Sequence, residues 1–334
     1  MRLQRYLQSN LNNGVEPVVY LDSLFDWNNL WLPDLAKVKI LTFEQHLLQL
    51  YRVPAWTDYL NLKKVFYENH CSLVHAHDPF SAYYSHVLGL PTIFDDWEHW
   101  INNSKYIDIS SSCKSFLSLL PVALANSRCG GVVKHLLKEV PTIVTNCNAQ
   151  LDYERFSDNV VAVVPNVPLL FEREHTLKGT VEKPSVTTTS YVGCLAKDNW
   201  ALRDTSGIVR LWHDKELGKL NILGGEHFLP HLEMLRELLG SHFNLLYWKP
   251  MADHKFYLQN KAFLASVLGI STIISSSLTA TIDLLGDYAL PVDSLSDIPR
   301  VLETADRTPL AFNPRHVWEF YESQIYQTYK EVSR

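Results

Sequence analysis

The chain of 334 residues lacks the patterns of a membrane-spanning, secreted or disulfide-linked protein. Its five cysteines include no C-x-x-C pair, which argues against a cysteine zinc site and against a disulfide framework. No run of about 18 apolar residues occurs. The opening MRLQRYLQSNLNNG is polar and does not resemble a signal peptide. We therefore expect a cytoplasmic protein, with peripheral contact at a membrane surface as the alternative.

A basic excess is also absent. The chain has 30 lysine and arginine residues against 36 aspartate and glutamate residues, which gives a formal charge of -6. Such a chain has no global positive field to attract nucleic acid, so we expect no nucleic-acid partner. The hydrophobic fraction of 46% and the charged fraction of 20% are typical of globular proteins. The length suits about two domains.

Apolar strand-like runs alternate with helical stretches along the whole chain, which predicts an α/β protein with parallel sheets. In the first half, strands are predicted over 17–21, 38–43, 72–78, 91–96, 141–146 and 160–167. In the second half they are predicted over 185–193, 219–225, 243–250, 271–276 and 288–292. The stretch 168–185 is charged and turn-rich, and we interpret it as the linker. Two such domains would place a ligand cleft between the carboxyl ends of their sheets.

Both ends of the chain are predicted to be helical. Near the start, Leu3, Leu7 and Leu11 recur at helical spacing, and Gly14 follows as a C-terminal cap. The last segment, RHVWEFYESQIYQTYKEV, carries an aromatic stripe that includes Tyr329. Such a stripe is typical of core packing or domain docking rather than of a ligand site.

Polar residues cluster where two predicted strands of the first half end. They are His75, His77 and Asp78 after the first strand, and Asp95, Asp96, Glu98 and His99 at the end of the next. Histidine and carboxylate side chains can transfer protons or bind sugar hydroxyls. For His75 we favour a place in the core, and either aspartate could instead cap the following helix. A metal site built from these residue types is an alternative, but no helical H-x-x-x-H or cysteine pair supports it.

The second half carries glycines and lysines suited to a phosphate group. Gly193 and the pair Gly224 and Gly225 follow predicted strands, where glycine lets the backbone approach a ligand closely. Candidate cations for a diphosphate are Lys197, Lys249 and Lys261. Lys261 is the best of them because it lies at the start of a predicted helix, whose dipole attracts anions as well.

Five motifs in order resemble the retaining glycosyltransferases of the fourth sequence family. The stretch LVHAHDPFSAYYSHVLGLPTIFDDWEHW is similar to that family's N-terminal signature, and VVAVVPNVP to the strand and turn that close its first domain. YVGCLAKDN is similar to the glycine turn of the nucleotide-binding domain, LNILGG to the strand that follows, and NKAFLASVLGISTIISS to the donor-binding helix and strand. No single motif is highly specific.

The resemblance implies the GT-B architecture of two Rossmann-like domains with an interdomain cleft. The implied divisions are an acceptor-side domain over 1–167, the linker, a nucleotide-sugar-binding domain over 186–315 and a final helix over 316–334 that crosses back to the first domain. His77, Asp78, Asp95, Asp96 and Glu98 would be catalytic or acceptor-side residues. Gly193, Gly224, Gly225, Lys197, Lys249 and Lys261 would hold the donor, without a cofactor and without a metal ion.

Three departures from that family are visible. The family's first strand and glycine-rich loop have no counterpart, so either the strand is lost or the true start lies upstream. Cys194 stands where the family usually has arginine. The family's Glu-x7-Glu pair aligns with Phe256 and Leu264, and leucine cannot accept a hydrogen bond from a ribose hydroxyl.

Three functions remain open at this point. The first is transfer of a hexose from a nucleotide-diphosphate sugar to a glycan, a lipid-linked sugar or another hydroxyl acceptor. The second is a non-catalytic GT-B relative that acts as a binding module or partner subunit, which the missing glutamates favour. The third is a nucleotide-sugar epimerase, which would need more carboxylates and histidines than the sequence offers. The sequence predicts neither the stereochemical outcome nor the oligomeric state.

Overall fold

The structure is a computed structural model, and it divides the chain into two compact units. The first unit comprises Met1–Pro165 and Tyr321–Arg334, and the second comprises Asn166–Phe320. The described residues are 2–22, 38–43, 47–48, 53–54, 61–97, 99, 130–179, 181–193, 205–224 and 229–334. Each unit has an α/β fold with parallel sheets, as the alternation of apolar runs predicts. No helix in the described ranges is long and apolar enough to cross a bilayer.

Among the described residues, the first unit contains two parallel sheets and a short antiparallel pair. Strands β1 (Val18–Asp22) and β2 (Lys39–Phe43) form one sheet. The antiparallel pair consists of β3 (Leu47–Leu48) and β4 (Val53–Pro54). The larger sheet runs in the order β5, β6, β7, β8, where the strands are Val74–Ala76, Thr92–Asp96, Thr142–Val144 and Val160–Val163. Its central strands β6 and β7 are buried throughout.

Helices cover the strands of the first unit. They are Arg2–Asn12, Leu62–Glu68, Pro79–Val87, a helix over 130–139, and Cys147–Tyr153. The opening helix Arg2–Asn12 follows the predicted spacing, and Gly14 has a φ of 71° just after it. Buried Phe94, Leu136, Val144 and Tyr153 belong to one core cluster.

The final helix begins later than predicted. It spans Glu322–Val332, and 3-10 turns at Pro314–His316 and Trp318–Tyr321 precede it. Val317 between the turns has extended backbone, and the N–H of Trp318 donates to the carbonyl of Pro168, so one continuous helix cannot form. The final helix packs in the first unit, where Ser9 donates to Glu322 at 2.6 Å.

In the part of the second unit that the structure describes, one parallel sheet runs in the order β10, β9, β11, β12, β13. The strands are β9 (Thr188–Val192), β10 (Lys219–Leu223), β11 (Phe243–Leu246), β12 (Ser271–Ser275) and β13 (Ala289–Val292). Its helices are Leu170–Leu177, Thr205–Lys215, His231–Leu239, Asn260–Ser266, Thr279–Leu285 and Ile298–Thr304. The order is that of a doubly wound sheet, in which the chain crosses from one side of the first strand to the other.

The interpretation of 168–185 as a turn-rich linker is corrected by the helix Leu170–Leu177 inside it. This helix is fixed by one buried carboxylate. Glu172 is completely buried, accepts the backbone N–H of Leu169 at 2.6 Å and lies 2.6 Å from Nε2 of His231. Glu172 of this stretch therefore forms a partly buried ion pair or hydrogen bond with His231, which the sequence pattern does not reveal.

We expect Glu172→Ala to lower the free energy of unfolding of the second unit by about 3 kcal/mol, because it leaves a largely buried imidazole without its partner and an uncapped helix start. Thermal unfolding measures this as a fall of several degrees in Tm. Glu174→Ala is the matched control, since Glu174 lies in the same helix and is exposed. Equal Tm values for the two variants would contradict the structural role of Glu172.

Candidate functional site

The structure brings His75, His77 and Asp95 together at the carboxyl end of β5 and β6. Nδ1 of His77 lies 2.8 Å from Oδ2 of Asp95, and Nε2 of His75 lies 3.8 Å from the same oxygen. The two imidazole rings stack, with centroids 4.7 Å apart. Residues 75 and 77 point to the same side because side chains alternate along an extended segment. The carboxyl edge of a parallel sheet is where ligands of such sheets bind.

Arg2 completes this group of side chains, and the sequence did not predict it. Its Nε donates to Oδ2 of Asp95 at 2.7 Å and its Nη2 donates to Oδ1 at 2.6 Å, which is a bidentate pair. Nη1 donates to the carbonyl of Val164 at 2.9 Å. Arg2 and Asp95 are both buried. One feature could have pointed to Arg2: it is a charged residue in the first turn of a helix that also buries Tyr6.

The charge on Asp95 is held by its partners. Burial by itself would raise the pKa of this carboxyl, but the charge of Arg2 and the hydrogen bonds from the histidines and Arg2 outweigh burial and hold the pKa well below 3.8. Burial lowers the pKa of His75 to about 4, which outweighs the opposing effect of Asp95. At neutral pH the site therefore contains an ionised aspartate, a charged arginine and a neutral His75.

Two tyrosines enclose the histidines. Nδ1 of His75 and the hydroxyl of Tyr329 lie 2.6 Å apart and share a hydrogen bond. Tyr6 packs its ring edge against His75, with centroids 4.3 Å apart. Burial raises the pKa of both tyrosines, so both hydroxyls remain protonated. Tyr329 is one member of the predicted aromatic stripe, and it contributes to the histidine group within the first unit.

The geometry fixes the hydrogen-bonding role of His77. Because Asp95 is ionised and can only accept, Nδ1 of His77 is the donor, and in the neutral ring Nε2 is then an acceptor. The Nε1 of Trp97 donates to the carbonyl of His77 at 2.9 Å and steadies the loop. The His77 side chain is 26% exposed, whereas that of Asp95 is fully buried. His77 is thus a hydrogen-bond acceptor, oriented by a buried carboxylate, that a hydroxyl group can reach.

This arrangement does not suit a metal ion, although the three residues carry ligand atoms within 4.8 Å of one another. Both oxygens of Asp95 already accept from Arg2, and Oδ2 also accepts from His77. A divalent cation would have to displace a bidentate arginine and would lie beside its positive charge. A metal ion at this place would therefore compete with Arg2 and His77 for Asp95.

The remaining first-unit candidates have other partners. Asp78 is the N-cap of the helix Pro79–Val87, and its Oδ1 accepts the N–H groups of Phe80 and Ser81 at 2.9 Å each. Asp96 is buried and accepts from the hydroxyl of Tyr153. Neither Asp95 nor Asp96 caps a helix in the described ranges, because both lie inside β6. Glu98 lies outside the described residues.

His99 belongs to the Asp96 side of the sheet. It is buried, its ring stacks on Tyr153 with centroids 4.7 Å apart, and its Nε2 lies 3.3 Å from Oδ2 of Asp152. Neighbouring strand residues point to opposite faces, which separates Asp96 and His99 from the group around Asp95. The polar residues predicted as one cluster therefore form two.

In the second unit, the structure brings Gly193 and Lys261 together at the carboxyl edge of the sheet. Gly193 follows β9 with a φ of 151°, and a Cβ atom there would lie 2.6 Å from Nζ of Lys261. Only glycine leaves room for the ammonium group at this distance. Lys261 is the second residue of the helix Asn260–Ser266. Gly224 follows the neighbouring strand β10 with a φ of 145°.

The other predicted donor residues are more dispersed. Lys249 is exposed and lies beyond β11. Lys197 and Gly225 lie outside the described residues, as does Cys194. Phe256 and Leu264, which align with the family's glutamate pair, are 8% and 1% exposed. Leu264 packs in the core with Leu223 and Leu235, so its side chain contributes to folding.

Comparison with known proteins gives a structural relationship without a sequence relationship. No protein-family model and no curated protein sequence matches this chain. Among solved structures, it is similar to sucrose-phosphate synthase from Thermosynechococcus elongatus, with a TM-score of 0.60 and 12% identity over 97% of this chain and 91% of that one. It is also similar to UGT73P12 of Glycyrrhiza uralensis in complex with glycyrrhetinic acid 3-O-monoglucuronide, with a TM-score of 0.54 and 10% identity over 99% and 92% of the two chains.

A third similar structure is α,α-trehalose 6-phosphate synthase from Burkholderia multivorans. The TM-score is 0.53 and the identity 11%, over 83% of this chain and 76% of that one. All three are GT-B glycosyltransferases, and the likeness covers most of both chains in each case. At these identities the likeness establishes the fold. The chain has the GT-B fold of two Rossmann-like domains.

Proposed function

We propose that this protein is a glycosyltransferase that moves a hexose from a nucleotide-diphosphate sugar to a hydroxyl acceptor on a glycan, a lipid-linked sugar or another small molecule. The observation that carries the proposal is the GT-B fold, which three glycosyltransferases share over 83% or more of this chain. Polar groups at the carboxyl edge of each sheet support it, because substrates of α/β proteins bind at that edge.

The first unit would serve the acceptor. Nε2 of His77 can accept the proton of an acceptor hydroxyl, since Asp95 holds the proton of the other ring nitrogen. As that proton leaves, the hydroxyl oxygen bonds to the anomeric carbon of the donor, and the bond from that carbon to the diphosphate breaks. The ionised Asp95 stabilises the imidazolium that forms. Arg2 positions Asp95 and makes no contact with substrate in this scheme.

The second unit would hold the donor. The ammonium of Lys261 lies beside the Gly193 turn, where the backbone can approach a phosphate closely. Positive charge at this point stabilises the diphosphate as it departs, which is the main electrostatic demand of the reaction. We therefore propose transfer without a metal ion, with Lys249 and Lys197 as further cations. We do not assign Asp78 a chemical step, because it caps a helix.

The second candidate function is a non-catalytic GT-B relative that binds a partner or a glycan. One observation favours it: the position of the family's ribose-binding carboxylate is occupied by Leu264, which is buried in the core. The donor ribose would then lack that hydrogen bond.

Calorimetric titration separates the two candidates. We expect at least one of UDP, GDP and ADP to bind at millimolar concentration or below. A complete lack of binding by all three would exclude the transferase. Turnover of a nucleotide-sugar panel would then identify the donor.

For the active enzyme, we expect His77→Gln to reduce kcat by about a hundredfold or more while nucleotide binding stays unchanged, because the proton acceptor is lost and the donor-holding unit is intact. Steady-state transfer rates and calorimetry on the same preparation measure the two effects. His135→Gln is the control, since His135 is an exposed histidine on the helix over 130–139 of the same unit. Full activity in His77→Gln would remove His77 from the mechanism.

A further inference from the structure

The two histidines of the candidate site form a stack of rings that readily holds the charge of one proton and opposes a second. The rings of His75 and His77 are nearly parallel, with an interplanar angle of 16° and centroids 4.7 Å apart. Two positively charged rings at this distance repel each other, so the first proton to bind opposes the second. The ring that takes the first proton therefore decides which histidine serves as the base.

The carboxylate of Asp95 indicates which nitrogen of His75 carries the hydrogen in the neutral ring. Nε2 of His75 faces Oδ2 of Asp95 at 3.8 Å. That oxygen belongs to an ionised carboxylate, which is held by Arg2 and His77. An N–H group at Nε2 is attracted to this negative charge, whereas a bare lone pair there would be repelled. Nε2 of His75 is therefore the protonated nitrogen, and Nδ1 is the acceptor.

The hydroxyl of Tyr329 is the donor to that acceptor. Its oxygen lies 2.6 Å from Nδ1 of His75. Tyr329 also has a hydrogen bond with Asn10, whose Oδ1 accepts from the hydroxyl of Tyr326 at 3.2 Å. The amide of Asn10 thus directs its oxygen to Tyr326 and its N–H groups to Tyr329, which leaves the proton of Tyr329 for His75. Burial raises the pKa of Tyr329, so this donor keeps its proton at neutral pH.

We propose that Tyr329 is a positioning residue, which occupies Nδ1 of His75, keeps that ring neutral and so directs the proton of the acceptor hydroxyl to Nε2 of His77. The role in the reaction rests on the proposed glycosyl transfer, whereas the hydrogen bonds do not. To take a proton, His75 would have to give up the hydrogen bond that Tyr329 donates to Nδ1. The face of a neutral His75 attracts an imidazolium at His77 as an aromatic face attracts a cation, whereas a charged His75 would oppose its formation.

The surroundings of the two rings favour the same assignment. Burial lowers the pKa of His75 to about 4, Asp95 opposes this, and the charges of His77 and Arg2 add to it. His77 has the direct hydrogen bond to Asp95, and its side chain is 26% exposed against 13% for His75, so a positive charge is better compensated and hydrated on His77. Among the described residues, the titratable and charged groups around the pair are Asp95 from β6, Arg2 and Tyr6 from the opening helix, Tyr329 with Tyr326 beside it from the final helix, and Asp78 next to His77 in the chain.

Nitrogen NMR of the full chain with 15N-labelled histidine tests this assignment without any substrate. In the native protein, we expect Nδ1 of His75 to have the chemical shift of an acceptor nitrogen and Nε2 that of an N–H group. The His75 resonances should not change between about pH 5 and pH 8. Tyr329→Phe keeps the ring and removes only the hydroxyl, so His75 should titrate within this range. The titration curve of His77 should then broaden from one step to two, because the two rings compete for one proton.

Two further variants separate this effect from a general disturbance of the site. Tyr326→Phe removes the neighbouring hydroxyl of the same helix, which contacts Ser9 and Asn10, and both histidines should behave as in the native protein. His75→Phe keeps an aromatic ring beside His77 but has no nitrogen to protonate. His77 should titrate in one step in this variant, and the addition of Tyr329→Phe should change nothing.

Three results would overturn the proposal. The first is an N–H group at Nδ1 of His75 in the native protein. The second is a His75 that still does not titrate above about pH 5 in Tyr329→Phe. The third is an equal response of the two histidines to Tyr326→Phe and to Tyr329→Phe.

The transfer reaction gives a separate readout. We expect Tyr329→Phe to lower kcat by about tenfold at about pH 6 and by less at about pH 8, since His75 loses its extra proton as pH rises. A deficit that does not depend on pH would overturn the role of Tyr329 in the reaction. If the native protein transfers no sugar, the proposed function fails, whereas the NMR titrations still decide whether Tyr329 keeps His75 neutral.

Discussion

Arg2→Met is expected to lower the free energy of unfolding of the first unit by about 3–5 kcal/mol at neutral pH, since it leaves the carboxylate of Asp95 buried without its bidentate partner. In the native chain, Arg2 donates twice to Asp95, and both side chains are at most 4% exposed. Methionine keeps the apolar stem of the side chain and removes only the charge and the donors. Chemical denaturation of both proteins measures the loss.

The loss of stability expected for Arg2→Met depends on pH in a characteristic way. In the native protein the pKa of Asp95 is held below 3.8, so its contribution to stability is present above that pH and is lost only as pH falls through the lower folded value. In Arg2→Met, burial is no longer offset by Arg2, and we expect the pKa of Asp95 to rise. The variant then recovers stability as pH falls and the carboxyl becomes neutral. The difference between the two proteins should shrink from pH 7 toward pH 4.

Two controls separate this effect from a general helix effect. Lys64→Met removes a cation that faces Glu68 at 3.7 Å on another helix, but both side chains are exposed, so we expect a loss of about 0.5 kcal/mol or less. The double variant Arg2→Met with Asp95→Asn removes both charges, and it should be more stable than Arg2→Met alone. A loss that stays constant between pH 7 and pH 4 would contradict the proposed role of Arg2.

The secondary structure and fold class follow from local patterns, because each parallel strand is a short β-branched or apolar run between polar turns. Ser271–Ser275 and Thr92–Asp96 lie inside the predicted ranges 271–276 and 91–96. The GT-B fold is confirmed by the structural comparison. The predicted ends of secondary-structure elements were wrong where tertiary contacts override the local conformational preference of the chain. The final helix begins at Glu322 because Trp318 is tied to Pro168, and no local pattern records that bond.

The candidate site was only partly predictable, for a related reason. His77 and Asp95 were recognisable as polar residues at strand ends, but Arg2 is 93 positions from Asp95 and Tyr329 is 254 positions from His75. Contacts of such sequence separation arise from the sheet and from the return of the final helix to the first unit. The sequence also could not separate Asp95 from Asp96. Strand alternation sends the first to Arg2 and the second to Tyr153.

The largest effect on ligand binding is expected at Lys261, whose replacement by alanine should weaken nucleoside diphosphate binding by at least about tenfold. A charge-assisted hydrogen bond to a phosphate contributes about 1.5–3 kcal/mol, and about 1.4 kcal/mol corresponds to tenfold in affinity. Lys261→Arg keeps the charge and should retain part of the affinity. Lys215→Ala is the control, since Lys215 is an exposed lysine at the end of another helix of the same unit. Calorimetry with whichever of UDP, GDP and ADP binds the native protein gives the comparison.

Gly193→Ala tests the same contact from its other side. The added Cβ would lie 2.6 Å from Nζ of Lys261, and a φ of 151° is strained for any residue with a side chain. The ammonium can move because it is the end of a flexible side chain, but it then leaves the glycine turn. We therefore expect Gly193→Ala to weaken diphosphate binding even though Lys261 is still present. If both Lys261→Ala and Gly193→Ala bind as tightly as the native protein, the diphosphate lies elsewhere in the second unit.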